Sequence, residues 1–259
     1  MAVDNHGVLR HGMRTVTAVG FFERESAMDF SGTPNPDTFD GTPENDIAFG
    51  GEGIDILVGS GGTDLIAGGA GDDDIAGDQA PVVAQDPAVI GDDILFGDDG
   101  SDLILAGPGQ DLLFGGPGDD ILAGGAGSDN IIGDAGADEM FGDEDVDFLT
   151  GGAGADLFGF DNIAVSTVGT DTITDFSRAE GDKIVLDYNL NGDHIDDFAE
   201  LQAHIAAERI IIGSQPTSLL TLSFLNGDAI GIVGIDTLDA NDWIFPAASD
   251  GSILDIPSG

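Results

Sequence analysis

Basic side chains are the scarcest feature of this 259-residue sequence, which has six Lys and Arg against 50 Asp and Glu and a formal net charge of −44. Such a chain repels phosphate groups, which excludes nucleic acid as a partner. Cysteine is absent, which excludes a disulfide scaffold and a thiolate metal site. No run of 18 apolar residues occurs, and Arg10 and Arg14 interrupt the apolar stretches near the start. The sequence therefore predicts no membrane span and no cleavable signal peptide.

The few basic residues lie outside the middle of the chain. Residues 25–177 contain no Lys or Arg at all, so no side-chain cation neutralises that acidic stretch. An acidic run of this kind is usually a solvated, disordered segment. This chain, however, is 41% hydrophobic with a mean hydropathy of +0.09, and its acidic stretch is periodic, which favours a folded structure.

A nine-residue unit recurs thirteen times between residues 32 and 159. Its first residue is Gly in every unit except the one that begins at Ala106, provided that residues 80–90 form an inserted loop. The fourth residue is Gly in ten units, with Asn35, Glu44 and Asp145 as the exceptions. Glycine at that place predicts a positive φ or a close approach of the backbone to a ligand.

Two further positions of the unit hold the same kind of residue in all thirteen units. The eighth residue is apolar throughout and predicts one inward side chain per strand: Phe39, Ala48, Leu57, Ile66, Ile75, Leu95, Ile104, Leu113, Leu122, Ile131, Met140, Leu149 and Phe158. The sixth residue is Asp in all thirteen units: Asp37, Asp46, Asp55, Asp64, Asp73, Asp93, Asp102, Asp111, Asp120, Asp129, Asp138, Asp147 and Asp156.

The unit predicts six residues of turn followed by three residues of strand. Strands so short are stable only when stacked, and two units per coil give a parallel solenoid with a thin core. Sixth-position carboxylates then repeat about every 4.8 Å along two rows. Neighbouring charges at that spacing repel by about 0.9 kcal/mol in water and about 3.5 kcal/mol at an effective dielectric near 20. The rows therefore require cations, and Ca²⁺, which prefers carboxylate and carbonyl oxygens, fits them better than Mg²⁺.

Units such as residues 68–76 (GGAGDDDIA) and 124–132 (GGAGSDNII) resemble the RTX, or haemolysin-type, calcium-binding nonapeptide repeat. The resemblance implies an all-β fold, with an N-terminal lead (residues 1–31) and a parallel β-roll, a right-handed calcium-binding solenoid (residues 32–159). It also implies that the thirteen sixth-position Asp side chains and turn carbonyls bind several Ca²⁺ ions between coils. Glu44, Pro36 and Asp145 depart from the repeat, so weak or empty sites are expected near its ends. A Gly-rich solenoid whose Asp residues only cap turns is the alternative.

Residues 160–259 lose the repeat and predict a small, mostly-β C-terminal cap. The expected elements are strands over residues 171–176 and 181–186, one short helix over residues 196–208, and a hairpin of residues 219–225 and 230–235 around Asn226-Gly227.

Parts of this cap, residues 175–186 and 238–245, resemble the segment that follows the repeats in serralysin-like proteases and other type I exported proteins. The resemblance implies a secreted, extracellular protein whose residues 160–259 include the signal for the type I secretion machinery. A stability cap without a targeting role is the alternative.

Catalytic motifs are missing from the sequence. It has no HExxH, no G-x-S-x-G, no phosphate-binding loop and no Cys nucleophile, and its four His residues are scattered. The first hypothesis is therefore a non-enzymatic, secreted calcium-binding β-roll protein with a structural, adhesive or surface role. The second is the calcium-binding and export module of an RTX exoenzyme, protease-like, or of a toxin, with the catalytic part outside this chain or unrecognised.

One face of the roll is expected to be apolar, since positions seven and nine point away from the core. On the sheet of the units at 41, 59, 77, 106, 124 and 142, ten of these twelve residues are apolar and none is charged: Ile47, Phe49, Leu65, Ala67, Ile94, Phe96, Leu112, Phe114, Asn130, Ile132, Phe148 and Thr150. A continuous apolar strip usually marks a contact surface. We expect the C-terminal region, the N-terminal lead, a protein partner or a second copy to cover it. Tolerated surface exposure is the alternative.

Overall fold

The computed structural model describes residues 27–78, 91–160, 170–186, 205–212, 215–223, 229–235, 237–238 and 240–244. Within those ranges all regular structure is β, without any helix. The strands are β1 Asp29–Ser31, β2 Thr38–Asp40, β3 Ile47–Glu52, β4 Ile56–Ser60, β5 Leu65–Ala70, β6 Asp74–Asp78, β7 Ile94–Asp99, β8 Leu103–Pro108, β9 Leu112–Pro117, β10 Ile121–Ala126, β11 Asn130–Ala135, β12 Glu139–Glu144, β13 Phe148–Ala153, β14 Leu157–Phe160, β15 Thr170–Ile173, β16 Lys183–Leu186, β17 Ile205–Ile212, β18 Gln215–Ser223, β19 Ala229–Val233 and β20 Trp243–Ile244.

Successive strands of the repeat region alternate between two sheets. One sheet has the order β1-β3-β5-β7-β9-β11-β13-β15-β19-β18-β17 and the other has the order β2-β4-β6-β8-β10-β12-β14-β16-β20. Neighbours within the repeats pair in parallel, with Ile47 opposite Leu65 and Leu65 opposite Ile94. The chain from Ile47 to Leu65 comprises two nonapeptides, and the chain from Leu65 to Ile94 comprises two nonapeptides plus the insertion. The fold is the parallel β-roll that the repeat predicts.

The core lies between the two sheets and consists of the eighth-position side chains. All thirteen are buried, as the sequence predicts. The same stack continues past the last nonapeptide, because Ile173 lies opposite Leu149 and Ile184 lies opposite Phe158. Trp243, also buried, lies opposite Ile184. A single column of apolar side chains per sheet therefore runs from the repeats into the C-terminal strands.

Most strands of the roll are longer than the three residues expected from the unit. Strand β10, for example, comprises positions seven to nine of one unit and the first three residues of the next. The first-position Gly124 lies within this strand, and the second-position Gly125 pairs with Gly107 and Asp143 on the neighbouring coils. The chain turns at the second position, where Gly125 has φ +105°, and at the fourth, where Gly127 has φ +133°.

The glycine at the fourth position has the positive φ that the sequence predicts, and a second role that the sequence did not predict. Gly71 has φ +135°, a conformation in which a side chain is strained. At Gly118 the backbones of adjacent coils also approach closely, since an added Cβ would lie 1.4 Å from the carbonyl oxygen of Gly100. The turn therefore requires glycine both for its conformation and for its contact with the next coil.

The C-terminal strands extend both sheets of the roll. Strands β15 and β16 continue them in parallel, which confirms the two strands expected there. Strand β18 pairs antiparallel with β19, which confirms the hairpin, although its turn lies outside the described residues. Strand β19 in turn pairs in parallel with β15, and β20 with β16. The nonapeptide repeat ends near residue 159, but the parallel pairing does not.

The helix expected over residues 196–208 is wrong in its last four residues. Residues 205–208 belong to β17, where Ile205 lies opposite Leu222 of β18. The rest of the expected helix lies outside the described residues. The strand ends in three consecutive Ile residues, 210–212, which favour extended structure, and pairing with a long neighbouring strand overrides the helical spacing.

An ion pair connects the segment between β15 and β16 to the last strand. The guanidinium of Arg178 donates from Nε to Oδ1 of Asp242 (2.7 Å) and from a terminal nitrogen to Oδ2 (2.8 Å). It also donates to the carbonyl oxygen of Thr237. Asp242 is buried. The two charge-assisted hydrogen bonds from Arg178 to Asp242 therefore hold the segment after β15 against the residues that precede β20.

The apolar face predicted from positions seven and nine is formed by the sheet that contains β3, β5, β7, β9, β11 and β13. Phe96 and Phe114 stack with their ring centroids 4.8 Å apart. Phe49 and Phe148 are 48% and 47% exposed. That another surface covers this face stays a prediction, because residues 1–26 of the N-terminal lead and the last fifteen residues lie outside the described ranges.

Candidate metal centre

The sixth-position Asp residues form two rows along the roll, one beside each sheet. Twelve of the thirteen are buried, and Asp37, at the start of its row, is half-buried. The hydrogen bonds between successive coils define the first row as Asp37, Asp55, Asp73, Asp102, Asp120, Asp138 and Asp156. They define the second row as Asp46, Asp64, Asp93, Asp111, Asp129 and Asp147.

One oxygen of each carboxylate after the first of its row is fixed by a backbone N–H of the preceding coil. The backbone N–H of Asp102 donates to Oδ1 of Asp120 (2.8 Å), and the N–H of Asp120 donates to Oδ1 of Asp138 (2.9 Å). The same contact repeats through both rows at 2.7–3.2 Å. The carbonyl of Asp102 meanwhile accepts from the N–H of Ile121 (2.9 Å). Each carboxylate is therefore held at a defined position between two coils.

The other oxygen is buried and lacks a donor. Among the described residues, Oδ2 accepts no hydrogen bond in Asp55, Asp64, Asp73, Asp93, Asp102, Asp111, Asp120, Asp129, Asp138, Asp147 and Asp156. A buried anionic oxygen without a partner is costly, and a cation removes that cost.

The first-position glycines leave the space around these oxygens. A Cβ added to Gly115 would lie 2.4 Å from Oδ2 of Asp120 and 2.8 Å from the carbonyl oxygen of Gly133 on the next coil. The same two kinds of atom border Gly97 and Gly133. Unpartnered carboxylate oxygens beside backbone carbonyls are the oxygen-only environment that Ca²⁺ prefers. The residues present therefore fit calcium.

The carboxylates are strongly perturbed electrostatically. Burial, reinforced by the charge of neighbouring Asp residues, raises the pKa of Asp129 to about 7 and that of Asp147 to about 8. The pKa of Asp111 and of Asp138 is likewise raised to about 7. Folding without a cation therefore requires these side chains to take up protons or to keep charges that burial opposes.

This perturbation predicts the pH dependence of the calcium-free roll. Because the folded-state pKa lies above the unfolded one, protonation stabilises the fold below about pH 4, and that stability is lost as pH rises through about 6 to 8. Calcium-free protein should thus gain β-structure when the pH falls from about 8 to about 5.5. Far-UV circular dichroism at constant ionic strength measures this gain. Loss of β-structure over that range would contradict it.

The first two units differ from the others in the hydrogen bonds of their carboxylates, and weak sites near the ends stay a prediction. Thr occupies their second position, and the N–H of Thr33 donates to Oδ2 of Asp37 (2.5 Å). The N–H of Thr42 donates likewise to Oδ2 of Asp46 (2.6 Å). These carboxylates already have donors within their own turn, so a cation gains less by binding them.

Two Asp residues that continue the rows were missed by the sequence reasoning. Asp171 accepts from the N–H of Asp147 (3.0 Å), and Asp182 accepts from the N–H of Asp156 (3.2 Å). Both are buried. The signal was present, since Asp171 and Asp182 each precede an apolar core residue by two positions, as every sixth-position Asp does. Asp171 and Asp182 follow the preceding Asp of their rows by 24 and 26 residues, and this irregular spacing departs from the nine-residue period by which the other Asp residues were found.

A family model for the RTX calcium-binding nonapeptide repeat matches the chain in four copies, at residues 31–53, 49–79, 88–122 and 123–158. These copies coincide with the coils of the parallel roll and with both Asp rows. The protein is thus a parallel β-roll, and its coils within residues 31–79 and 88–158 match the RTX calcium-binding nonapeptide repeat. The individual role of each sixth-position Asp as a ligand stays a prediction.

Among solved structures, the chain is similar to the extracellular lipase LipA from Serratia marcescens, with 19% identity and a TM-score of 0.28. The match covers 86% of this chain and 40% of the lipase, so this chain corresponds to less than half of that protein. No curated protein matches the chain significantly. None of the described residues belongs to a helix long and apolar enough to cross a bilayer.

Proposed function

We propose that this chain is a secreted calcium-binding β-roll protein that folds when Ca²⁺ binds and has a structural or surface role rather than a catalytic one. The observation that carries the proposal is the pair of Asp rows, with buried Oδ2 atoms that accept no hydrogen bond within the described residues. The absence of Lys and Arg from residues 25–177 leaves a metal ion as the available counter-charge.

Secretion is supported by the calcium concentration that such sites require. Extracellular calcium modules bind with dissociation constants on the order of 0.1 to 1 mM, so they are empty at the low calcium concentrations inside cells. A roll of this kind stays unfolded before export and folds outside. The C-terminal resemblance to type I exported proteins supports the same route, with residues 160–259 as the region that contacts the secretion machinery.

The proposal is tested by measuring calcium binding directly. Equilibrium dialysis of the full chain against Ca²⁺ should give several bound ions per molecule, and Mg²⁺ at the same concentration should bind far less. Binding should saturate together with the gain of β-structure. If calcium does not bind, or binds without any change of structure, the proposed function is wrong.

The apolar face supports a contact with a protein partner or a second copy. Ile47, Phe49, Ile94 and Phe148 are each at least 37% exposed, and Phe96 and Phe114 stack between them. Exposed patches of this kind on a soluble protein commonly mark an interface. In a surface protein, such a strip holds neighbouring molecules together without using the calcium rows.

The double variant Phe96→Asp with Phe114→Asp tests this face. Two charges placed in an interface should shift a self-associated form to the monomer, or lower the melting temperature if the chain's own termini cover the strip. Sedimentation velocity and a thermal melt, both in calcium, separate these cases. The matched control is Asp40→Asn with Asp74→Asn on the opposite sheet. If the Phe variant keeps the mass and the melting temperature of the parent, and still binds any partner that the parent binds, the apolar strip is exposed and forms no interface.

A further inference from the structure

The insertion in the repeat brings a third carboxylate into the second row. Residues 80–90 interrupt the unit that begins at Gly77, directly after its third position. Asp78, at the second position, is 5% exposed. One oxygen each of Asp64, Asp78 and Asp93 lie within 4.8 Å of one another. The regular repeat offers one sixth-position carboxylate per coil in each row, so this cluster differs from it in composition.

Asp78 also differs from the other acidic residues at the second position. Asp98, Asp134 and Asp143 have positive φ (70°, 73° and 70°) and are exposed. Asp78 does not have a positive φ, and its side chain is buried. The insertion thus changes the path of the turn and directs this carboxylate into the row.

The carboxylate of Asp78 has one used and one unused oxygen. Its Oδ2 accepts from the N–H of Gly91 (2.8 Å), which joins the two ends of the insertion. Its Oδ1 is buried and accepts no hydrogen bond within the described residues, and the same is true of Oδ2 in Asp64 and in Asp93. Each of the three clustered carboxylates therefore has one buried oxygen without a hydrogen-bond donor among the described residues.

Backbone oxygens border the same cluster. The carbonyl of Gly77 and Oδ2 of Asp64 both lie against Gly59, 2.8 and 2.1 Å from the position of an added Cβ. Three carboxylates carry a formal charge of −3, more than one divalent ion neutralises. Calcium affinity rises with the number of charged ligands, so this cluster suits Ca²⁺ better than any single carboxylate of the rows.

We propose that Asp64, Asp78 and Asp93 bind one Ca²⁺ ion at the base of the insertion, and that this is the tightest calcium site of the roll. The inference rests on the proposed function and adds a ligand that the nonapeptide does not supply. Here the second row is interrupted by eleven extra residues, and closing such a loop costs conformational entropy. An ion bound by Asp78 on one side and Asp93 on the other offsets that cost and keeps the coils in register.

The substitution Asp78→Asn tests the site, because an amide oxygen still accepts from the N–H of Gly91 while the charge is lost. Isothermal titration of the full chain with Ca²⁺ should show one tight site in the parent. In Asp78→Asn its affinity should fall about tenfold or more. The matched control Asp134→Asn removes the same charge from an exposed second position and should leave the tight site unchanged. Equal isotherms for both variants would overturn the inference.

A crystal structure of the parent chain in calcium gives an answer that does not depend on a variant. Anomalous scattering should place an ion at about 2.3–2.6 Å from a carboxylate oxygen of Asp78. Ions elsewhere along the rows with none touching Asp78 would overturn this inference and leave the proposed function intact. No ion anywhere in the roll would overturn both.

Discussion

Removing calcium at neutral pH is expected to unfold the roll. The core is one apolar side chain thick per sheet, while the two rows hold eleven buried oxygens without hydrogen-bond donors in the described residues. Repulsion of about 0.9 to 3.5 kcal/mol for each neighbouring pair of charges accumulates to the size of a whole domain's stability. The free energy of calcium binding is therefore also free energy of folding.

The measurement is a calcium titration of chelated protein, followed by far-UV circular dichroism and by the hydrodynamic radius. Both should change cooperatively at a free calcium concentration on the order of 0.1 to 1 mM, from an expanded chain to a compact one. Magnesium at equal ionic strength is the control for screening, because screening alone would act equally with either ion. Unchanged β-structure and an unchanged melting temperature in excess chelator would rule out the calcium mechanism.

The sequence predicted most of the roll because its signals are local and periodic. A fixed Asp and a fixed apolar residue every nine positions determine the coil, the core column and the carboxylate rows together. The position of the insertion also followed, since the phase resumes at Gly91. The pattern is informative here because each unit contacts only its neighbours.

The features that the sequence did not predict depend on contacts between distant segments. Strand β17 has helical spacing in its first residues, and only its pairing with β18 makes it extended. The continuation of the rows through Asp171 and Asp182 depends on loops of irregular length. Nothing in the sequence distinguished Asp78 from the other acidic residues, of which the chain has 50. Its burial follows from the altered path of the turn. Pattern reasoning detects what repeats, whereas these contacts each occur once.

The position of a carboxylate in its row is expected to determine how much calcium-driven folding depends on it. Asp120 is buried, donates its N–H to Asp138 and accepts from Asp102, so it faces coils on both sides. Asp37 is half-buried at the end of the same row, and its Oδ2 already accepts from Thr33. A cation beside Asp120 thus gains a buried ligand shared between sites, and a cation beside Asp37 gains little.

We therefore expect Asp120→Ala to raise the calcium concentration at the folding midpoint by about tenfold or more, and Asp37→Ala to raise it by about twofold or less. Asp111→Ala, in the second row, should resemble Asp120→Ala. The control for net charge is Asp99→Ala, an exposed residue at the end of β7, whose loss reduces repulsion without removing a buried ligand. The midpoint is measured by circular dichroism in calcium buffers. If neighbouring sites share Asp120, its loss weakens calcium binding in the coils above and below it, so Asp120→Ala should also make the transition less steep.

Equal midpoints for Asp120→Ala and Asp37→Ala would show that each carboxylate acts alone, and the stacked arrangement of sites would then be wrong.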